Sequence, residues 1–242
     1  MSFSHLHTHS HYSLLEGVAA PAALAARAAQ FGMAAVVLTD HNGLYGAIPF
    51  YQACRAVSVQ PILGLELDTD TGDQLVLLAR NRDGYRSLCR LASAVGQDRT
   101  PGRPGPGCPL DLLRADHAGL IALSGGRRAL LPRLVRADRI PQASRLIGAY
   151  ADLFGAENFY IELVQHTPAD APGVRALRDL ADLLGVPAVV ANDALAAGPD
   201  ETGQTALRDA IRTHTTLAAP HPDKAEHAAE RYLKSPRQME DR

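Results

Sequence analysis

His5-Leu6-His7-Thr8-His9-Ser10-His11 sets four histidines at alternate positions. In an extended chain, residues at period two share one face. Imidazole nitrogens gathered on one face are ligands for ions such as Zn, Fe or Mn. A histidine-rich surface tail has the same spacing, but this stretch is embedded in apolar and small residues. Metal ligation is therefore the chemistry it indicates.

A second polar group follows the apolar run Ala35–Thr39 and reads Thr39-Asp40-His41-Asn42-Gly43. Alone it is equally a polar turn between strand and helix. Beside the first motif it adds an imidazole, with Asp40 placed to orient a ligating histidine from behind. Glu66 sits between leucines at the end of another strand-like run, where a carboxylate is costly unless it meets a cation. Asn192-Asp193 follows the run 187–191 and puts one more carboxylate at a strand end, and Glu16 is a further acidic candidate beside the histidines. Asp68-Thr69-Asp70-Thr71-Gly72-Asp73 imitates the start of a calcium loop. Ala79 occupies its twelfth position, where the closing Glu belongs, so the segment reads as a hairpin turn.

The elements that must carry these residues alternate. Strand-like runs fall at Phe3–His7, Ala35–Thr39, Ile62–Asp68, Gln74–Ala79, Gly119–Ser124, Phe159–Val164 and Pro187–Ala191. Helix-like segments cover Pro21–Phe31, Leu44–Val57, Asp83–Val95, Pro141–Phe154 and Val174–Leu184, with Pro opening the first and Gly closing the first and last. Alternation of this kind predicts an α/β fold with a parallel sheet, a distorted barrel or a doubly wound sheet, and barrel strands present their reactive residues at their C-terminal ends. Residues 98–109 hold four Pro and three Gly and read as a surface loop; from Asp200 onward the pattern is helical, with a His/Pro turn at 219–223.

The chain has 242 residues, 46% of them hydrophobic, and a net charge of −2, so no global field recruits nucleic acid. The distribution is uneven: residues 80–139 hold twelve Arg against five Asp. That excess faces either a phosphate backbone or solvent, on helix surfaces. Cys54, Cys89 and Cys108 are odd in number and widely spaced, which excludes a disulfide framework and a cysteine zinc ribbon. No 18-residue apolar stretch and no signal-peptide pattern is present; the expectation is a reduced, cytoplasmic protein without a membrane span.

The segments HLHTHSHYSLLEG (5–17), VVLTDHNGLYGAIPFY (36–51), PILGLEL (61–67), GLIALSGG (119–126), FYIELVQH (159–166) and PAVVAND (187–193) together resemble the PHP (polymerase and histidinol phosphatase) superfamily. The resemblance is to the N-terminal PHP domain of bacterial DNA polymerase III alpha subunits, nearer the error-prone type, and THTTL (213–217) and RYLKSPRQM (231–239) extend it. It implies a distorted (β/α)7 TIM-like barrel over residues 1–199, with a helical C-terminal extension over 200–242 packing on it. It also implies divalent metal ions at the C-terminal face and hydrolysis of phosphate esters, in some polymerases as a 3′–5′ exonuclease. The metal-ligand positions carried over are His7, His9, Glu16, His41, Glu66 and Asp193. Glu16 stands where these domains usually have Asp, and its extra methylene moves the oxygen by roughly 1.5 Å. Three further ligand positions fall on Gly96 or a neighbour, Gly126 and Leu195, which offer no donor; His117 and His166 are the spare imidazoles. The resemblance thus implies one or two ions (Zn, Mn or Fe) rather than three, with His7, His9 and Glu66 as the minimal set, and it assigns no catalytic residue.

Three readings of function stand at this point. One is a DNA polymerase III alpha-like PHP domain with metal-dependent phosphoesterase or exonuclease activity, serving DNA replication or repair. The second is an inactive scaffold or interaction module of such a polymerase. The third is a small-molecule phosphatase of the histidinol-phosphatase kind, against which the polymerase-like tail argues. The implied partners are a DNA 3′ end or other phosphate ester, and polymerase subunits. No palm-type aspartate cluster is present, so no polymerase activity is expected from this chain, whether it stands alone or as a domain of a polymerase.

Overall fold

The computed structural model describes residues 3–97, 107–219 and 228–240. It divides into two compact units, one of residues 1–41, 45–62 and 192–242, the other of residues 42–44 and 63–191. The loop reading of 98–109 falls outside the described residues up to position 106, and so does 220–223 of the expected His/Pro turn.

In the first unit, helix α1 (Pro21–Gln30) starts on Pro21 and ends before Gly32, whose φ of +64° suits a residue without a Cβ. Its buried Leu24, Ala25 and Ala28 recur at helical spacing and pack on α2 (Ala47–Ala56), which buries Phe50 and Cys54. Strand β1 (Ala35–Leu38) is a continuous buried run, as its sequence requires. Helices α8 (Thr202–Arg212) and α9 (Pro236–Glu240) complete this unit among the described residues, and an extended stretch between them bridges Tyr232 to Ala196.

The expected strand at Phe3–His7 is not one. Val37 N–H donates to His5 O and Thr39 N–H to Thr8 O. While β1 advances two residues, the histidine segment advances three. The extra residue breaks the ladder as a bulge does, and only an isolated bridge, Thr8 to Ala194, remains.

The second unit holds most of β2 (Gln60–Asp68), then β3 (Gln74–Ala79), β4 (Leu120–Leu123), β5 (Phe159–Val164) and β6 (Ala188–Ala191), neighbours in chain order. The β2–β3 and β3–β4 pairs are antiparallel and β4–β5 and β5–β6 parallel, so β3 is inverted within an otherwise parallel α/β arrangement. The inversion follows from the hairpin at Thr69–Asp73: Thr69 N–H donates to Asp73 O at 2.9 Å and Gly72 takes φ +76°. Helices α3 (Arg82–Gln97), α6 (Ile140–Phe154) and α7 (Ala171–Leu184) were legible; α4 (Leu110–Ala115) and α5 (Leu130–Arg136) are too short to show a period. The core of this unit runs through Leu65, Leu67, Leu75, Leu77, Leu88, Leu91, Phe159 and Ile161.

Asp73 is buried beneath the start of α5. Its Oδ1 accepts from Leu130 N–H and Gln74 N–H, both at 2.7 Å, and its Oδ2 accepts from Tyr150 Oη at 2.7 Å. Burial raises its pKa, against the opposing pull of the Tyr150 hydroxyl, the two amides and Arg133. The folded chain therefore keeps a proton here at a pH where the unfolded chain has lost it, and stability falls as pH rises from the unfolded carboxyl's pKa to the raised folded value. Asp73→Asn should remove that slope. Denaturant melts recorded at increasing pH from the ordinary carboxyl pKa upward should show the wild type losing stability relative to Asp73→Asn; parallel behaviour would refute the assignment.

Candidate metal centre

The histidine segment lies between β1 and residues 193–195, held by His9 N–H to Ala194 O at 2.8 Å and Ala194 N–H to His7 O at 3.1 Å. It buries His7 and His9 and turns their rings together, with the two Nε2 atoms 3.1 Å apart. Asp193 Oδ1 lies 3.5 Å from His9 Nε2 and 3.8 Å from His7 Nε2. Ligands about 2.1 Å from a tetrahedral ion stand about 3.4 Å from each other. Three convergent donors at 3.1–3.8 Å thus have the spacing of a coordination face.

The tautomer of His9 is fixed by its neighbours. Ser13 Oγ donates its one proton to Asp40 Oδ1 at 2.7 Å, so the same oxygen accepts from His9 Nδ1 at 3.0 Å and from His41 N–H at 3.0 Å. His9 then carries its proton on Nδ1 and presents the Nε2 lone pair to Asp193 and His7, the form a metal requires. Asp40 is held in turn by Ser10 N–H at 2.7 Å and Ser10 Oγ at 2.8 Å. The sequence suggested Asp40 as the support of a ligating histidine; it acts through Ser13, and on His9. Neither Ser10 nor Ser13 was singled out in the sequence, though both lie in the first motif.

Glu16 and His41 form a second group in the same unit, Glu16 Oε2 standing 3.1 Å from His41 Nδ1, both partly exposed. The longer Glu side chain does reach the histidine.

Asp193 takes φ +45°, a left-handed conformation that Asp tolerates better than most residues and that concentrates at functional sites. Its buried carboxylate is gripped by the Arg231 guanidinium, and Arg231 Nε donates to its backbone carbonyl at 3.0 Å. Burial pushes the Asp193 pKa up, but neighbouring positive charge, led by the Arg231 guanidinium, outweighs it and holds the group well below the usual carboxylate range. Arg231 was not foreseen as part of the site. Asn192 brings it there: its Nδ2 donates to the carbonyls of Glu230 at 3.1 Å and Tyr232 at 2.7 Å. In the pair Asn192-Asp193, the first residue anchors the tail and the second faces the histidines.

Two of the four alternating histidines leave the face. His5 Nε2 donates to Lys234 O at 2.9 Å, and burial lowers its pKa to about 4, so it is neutral and structural. His11 is exposed and packs its ring on Tyr12 at 4.6 Å. The period-two expectation fails for them because the segment is not a regular strand.

Glu66 belongs to the second unit. It is buried on β2, opposite Val76 in the hairpin. Asn42, at φ +52°, brackets it: Asn42 N–H donates to Glu66 O at 2.8 Å, and its side chain pairs with Asp68 through Nδ2 to Oδ2 at 2.8 Å and Oδ1 from Asp68 N–H at 2.9 Å. Of the positions without a donor, Gly96 is exposed on α3, Gly126 is buried after β4, and Leu195 is buried in the first unit. His117 is committed to the Arg114 carbonyl at 2.7 Å and to the edge of Phe154. His166 is buried after β5, its N–H donating to Asp170.

Among the described arginines of the basic stretch, Arg86, Arg90, Arg114 and Arg127 pair with Asp83, Asp116, Asp111 and Asp170. Arg99 and Arg103 fall outside the described residues. No helix among the described residues is long and apolar enough to cross a membrane.

Residues 5–166 match the PHP domain family. The whole chain aligns at 40% identity with an error-prone DNA polymerase from Symbiobacterium thermophilum, of which it covers 24%, and 99% of it aligns at 34% identity with the DNA polymerase III subunit alpha of Treponema pallidum, of which it covers 22%. The chain thus spans about a quarter of the length of these relatives. An amidohydrolase structure from Chromobacterium violaceum resembles it in fold, with a TM-score of 0.53 at 18% identity over 81% of this chain and 89% of that one.

Proposed function

The chain belongs to the PHP domain family, and on that premise we propose that it is the metal-dependent phosphoesterase domain of a DNA polymerase III alpha-like protein. The observation that carries this reading is the convergence of His7 Nε2, His9 Nε2 and Asp193 Oδ1, with the His9 tautomer set by Ser13 and Asp40. His7, His9 and Asp193 would hold one divalent cation, and Glu16 and His41 are the donors for a second; Glu66 carries the expectation drawn from its motif. A bound cation of this kind neutralises phosphate charge and lowers the pKa of water.

The chain's own residues account for the rest of the site. Ser13 and Asp40 orient His9, and Arg231 supplies a fixed positive charge beside Asp193. The substrate class is a phosphate ester, with a DNA 3′ end as its polymerase-borne form.

Arg231 also favours a second reading, in which the domain is a scaffold within a polymerase. A guanidinium already compensates the buried Asp193 charge, so the cluster is electrostatically sustainable without an ion. Elemental mass spectrometry of untagged protein separates the two. One or two Zn, Mn or Fe ions per chain, with hydrolysis of a phosphodiester that chelation stops, is the expected result. Protein that stays metal-free after incubation with Zn and with Mn would refute the hydrolase and leave the scaffold.

A further inference from the structure

Three tyrosines of the first unit stand in solvent near the histidine loop: Tyr12 is 38% exposed, Tyr45 66% and Tyr51 48%. The other four of the chain's seven tyrosines have their hydroxyls engaged, Tyr150 on Asp73, Tyr160 on the Glu157 carbonyl, Tyr232 with Gln238 and Tyr85 with Cys89. The hydroxyls of the exposed three bond to none of the described residues. Their rings present apolar faces to water beside the metal centre.

Gly46 ties these rings to that centre. A Cβ there would stand 2.6 Å from Asp40 Oδ2 and 3.0 Å from Tyr12 Cδ2, so the bare glycine lets the Asp40 carboxylate and the Tyr12 ring both close on it. Asp40 is the group that supports Ser13 and, through it, His9. Tyr12 lies in the same turn, its N–H donating to Ser10 Oγ at 3.2 Å and its ring packed on His11 at 4.6 Å. Tyr45 directly precedes Gly46, and α2 begins directly after it. That helix buries Ala47, Phe50 and Cys54 and exposes Ile48, Tyr51 and Arg55, which recur at i, i+3 and i+7 along one stripe. Side chains three or four apart on a helix are neighbours, with roughly 5–6 Å between their Cβ atoms. Arg55 forms no ion pair with a described residue. One face thus runs from the metal loop along α2 and combines exposed aromatic rings with an uncompensated guanidinium.

We propose that Tyr12, Tyr45 and Tyr51, with Ile48 and Arg55, form a stacking platform for the bases of single-stranded DNA whose 3′ end enters the metal centre. Aromatic rings hold the π-faces of successive bases, and arginine holds the phosphates between them. A duplex hides those base faces, so the platform selects single strands. The chain's net charge of −2 supplies no field that would bind DNA without stacking. The choice of a DNA end rests on the phosphoesterase reading of the metal centre; the stacking itself requires no ion.

The test is fluorescence anisotropy of the full chain, in excess chelator so that nothing is hydrolysed, with a labelled oligothymidylate of about twelve nucleotides, an abasic backbone of the same length and a duplex. The oligothymidylate should bind about tenfold or more tighter than the abasic strand and the duplex. Tyr45→Ala and Tyr51→Ala should each weaken it about tenfold, whereas Tyr45→Phe keeps the ring and should bind as the wild type does. Arg55→Ala should flatten the slope of log affinity on log salt by about 0.7 and leave the preference for bases over the abasic strand intact. Leu183→Ala, which trims a side chain 78% exposed in the second unit, should change nothing. Equal affinity for the thymidylate and abasic strands, undiminished binding by Tyr45→Ala, or no binding at about 0.1 mM protein would each overturn the proposal. So would a wild-type dimer in sedimentation that Tyr51→Ala dissociates, since it would give the face to a second copy of the chain. The two readings fail separately: a metal-loaded hydrolase with no preference for bases loses the platform alone, and a metal-free protein that binds thymidylate through its tyrosines loses the hydrolase alone.

Discussion

His9→Ala is expected to lower metal retention by more than about 100-fold and to abolish metal-dependent phosphoester hydrolysis. The figure exceeds the roughly 10–100-fold that follows from changing a group behind a ligand, because the ligand itself is removed. His9 is the donor with the most determined geometry in the cluster: Ser13 fixes its protonated nitrogen, and Asp193 and His7 face the other. Ser13→Ala gives the graded control. It leaves all the donor atoms in place but releases the His9 tautomer, so its loss should fall in that 10–100-fold range. Metal content and hydrolysis should drop together across wild type, Ser13→Ala and His9→Ala. Hydrolysis that persists in His9→Ala would identify a contaminating nuclease. Full metal content in that variant would place the ion elsewhere in the chain.

What the sequence disclosed and what it hid divide along the line between local and distant interactions. Strands β1 to β5 were legible as apolar runs because each is buried over most of its length; β6 was legible from its apolar run although only Ala191 in it is buried, and the hairpin at Thr69–Asp73 was legible from its turn residues. The histidine segment misled as a strand because its slip against β1 depends on a partner about thirty residues away. Helix α5 was missed for a related reason: the carboxylate beneath its first residue is Asp73, far upstream. In the metal centre, the His7/His9 pair followed from spacing alone. Arg231 did not, because its grip on Asp193 is created by Asn192 clamping the backbone of a segment 38 residues on. Asp40 was recognised as a support but linked to the adjacent histidine; only the folded loop reveals that Ser13 carries its effect to His9.

That loop gives the second large effect, from Gly17→Ala. Residues 10–17 close into a compact turn: Ser13 N–H donates to Ser10 O at 3.0 Å, Gly17 N–H to Ser13 O at 3.0 Å, and Val18 N–H to Leu195 O at 2.9 Å. A Cβ on Gly17 would stand 2.1 Å from Ser10 O, 2.6 Å from Ser10 C and 3.2 Å from His9 C. All three are backbone atoms and cannot swing aside. The first two lie well inside the ~3.5 Å at which non-bonded carbon contacts are comfortable. Relief requires moving the Ser10–Ser13 turn, which carries the serine under His9, so stability and metal binding should fail together. The expected destabilisation is about 3 kcal/mol or more, the upper range for overpacking, and a fall in Tm of about 6–12 °C for a chain of this size. Gly32→Ala separates this clash from ordinary glycine strain. Gly32 has φ +64° but nothing within 4 Å of the added carbon, so only the left-handed backbone penalty of about 1–2 kcal/mol applies, with metal content unchanged. A Gly17→Ala protein that melts with the Gly32→Ala variant and retains its metal would show that the turn yields without disturbing His9, and the link from Gly17 through Ser13 to the metal centre would fall.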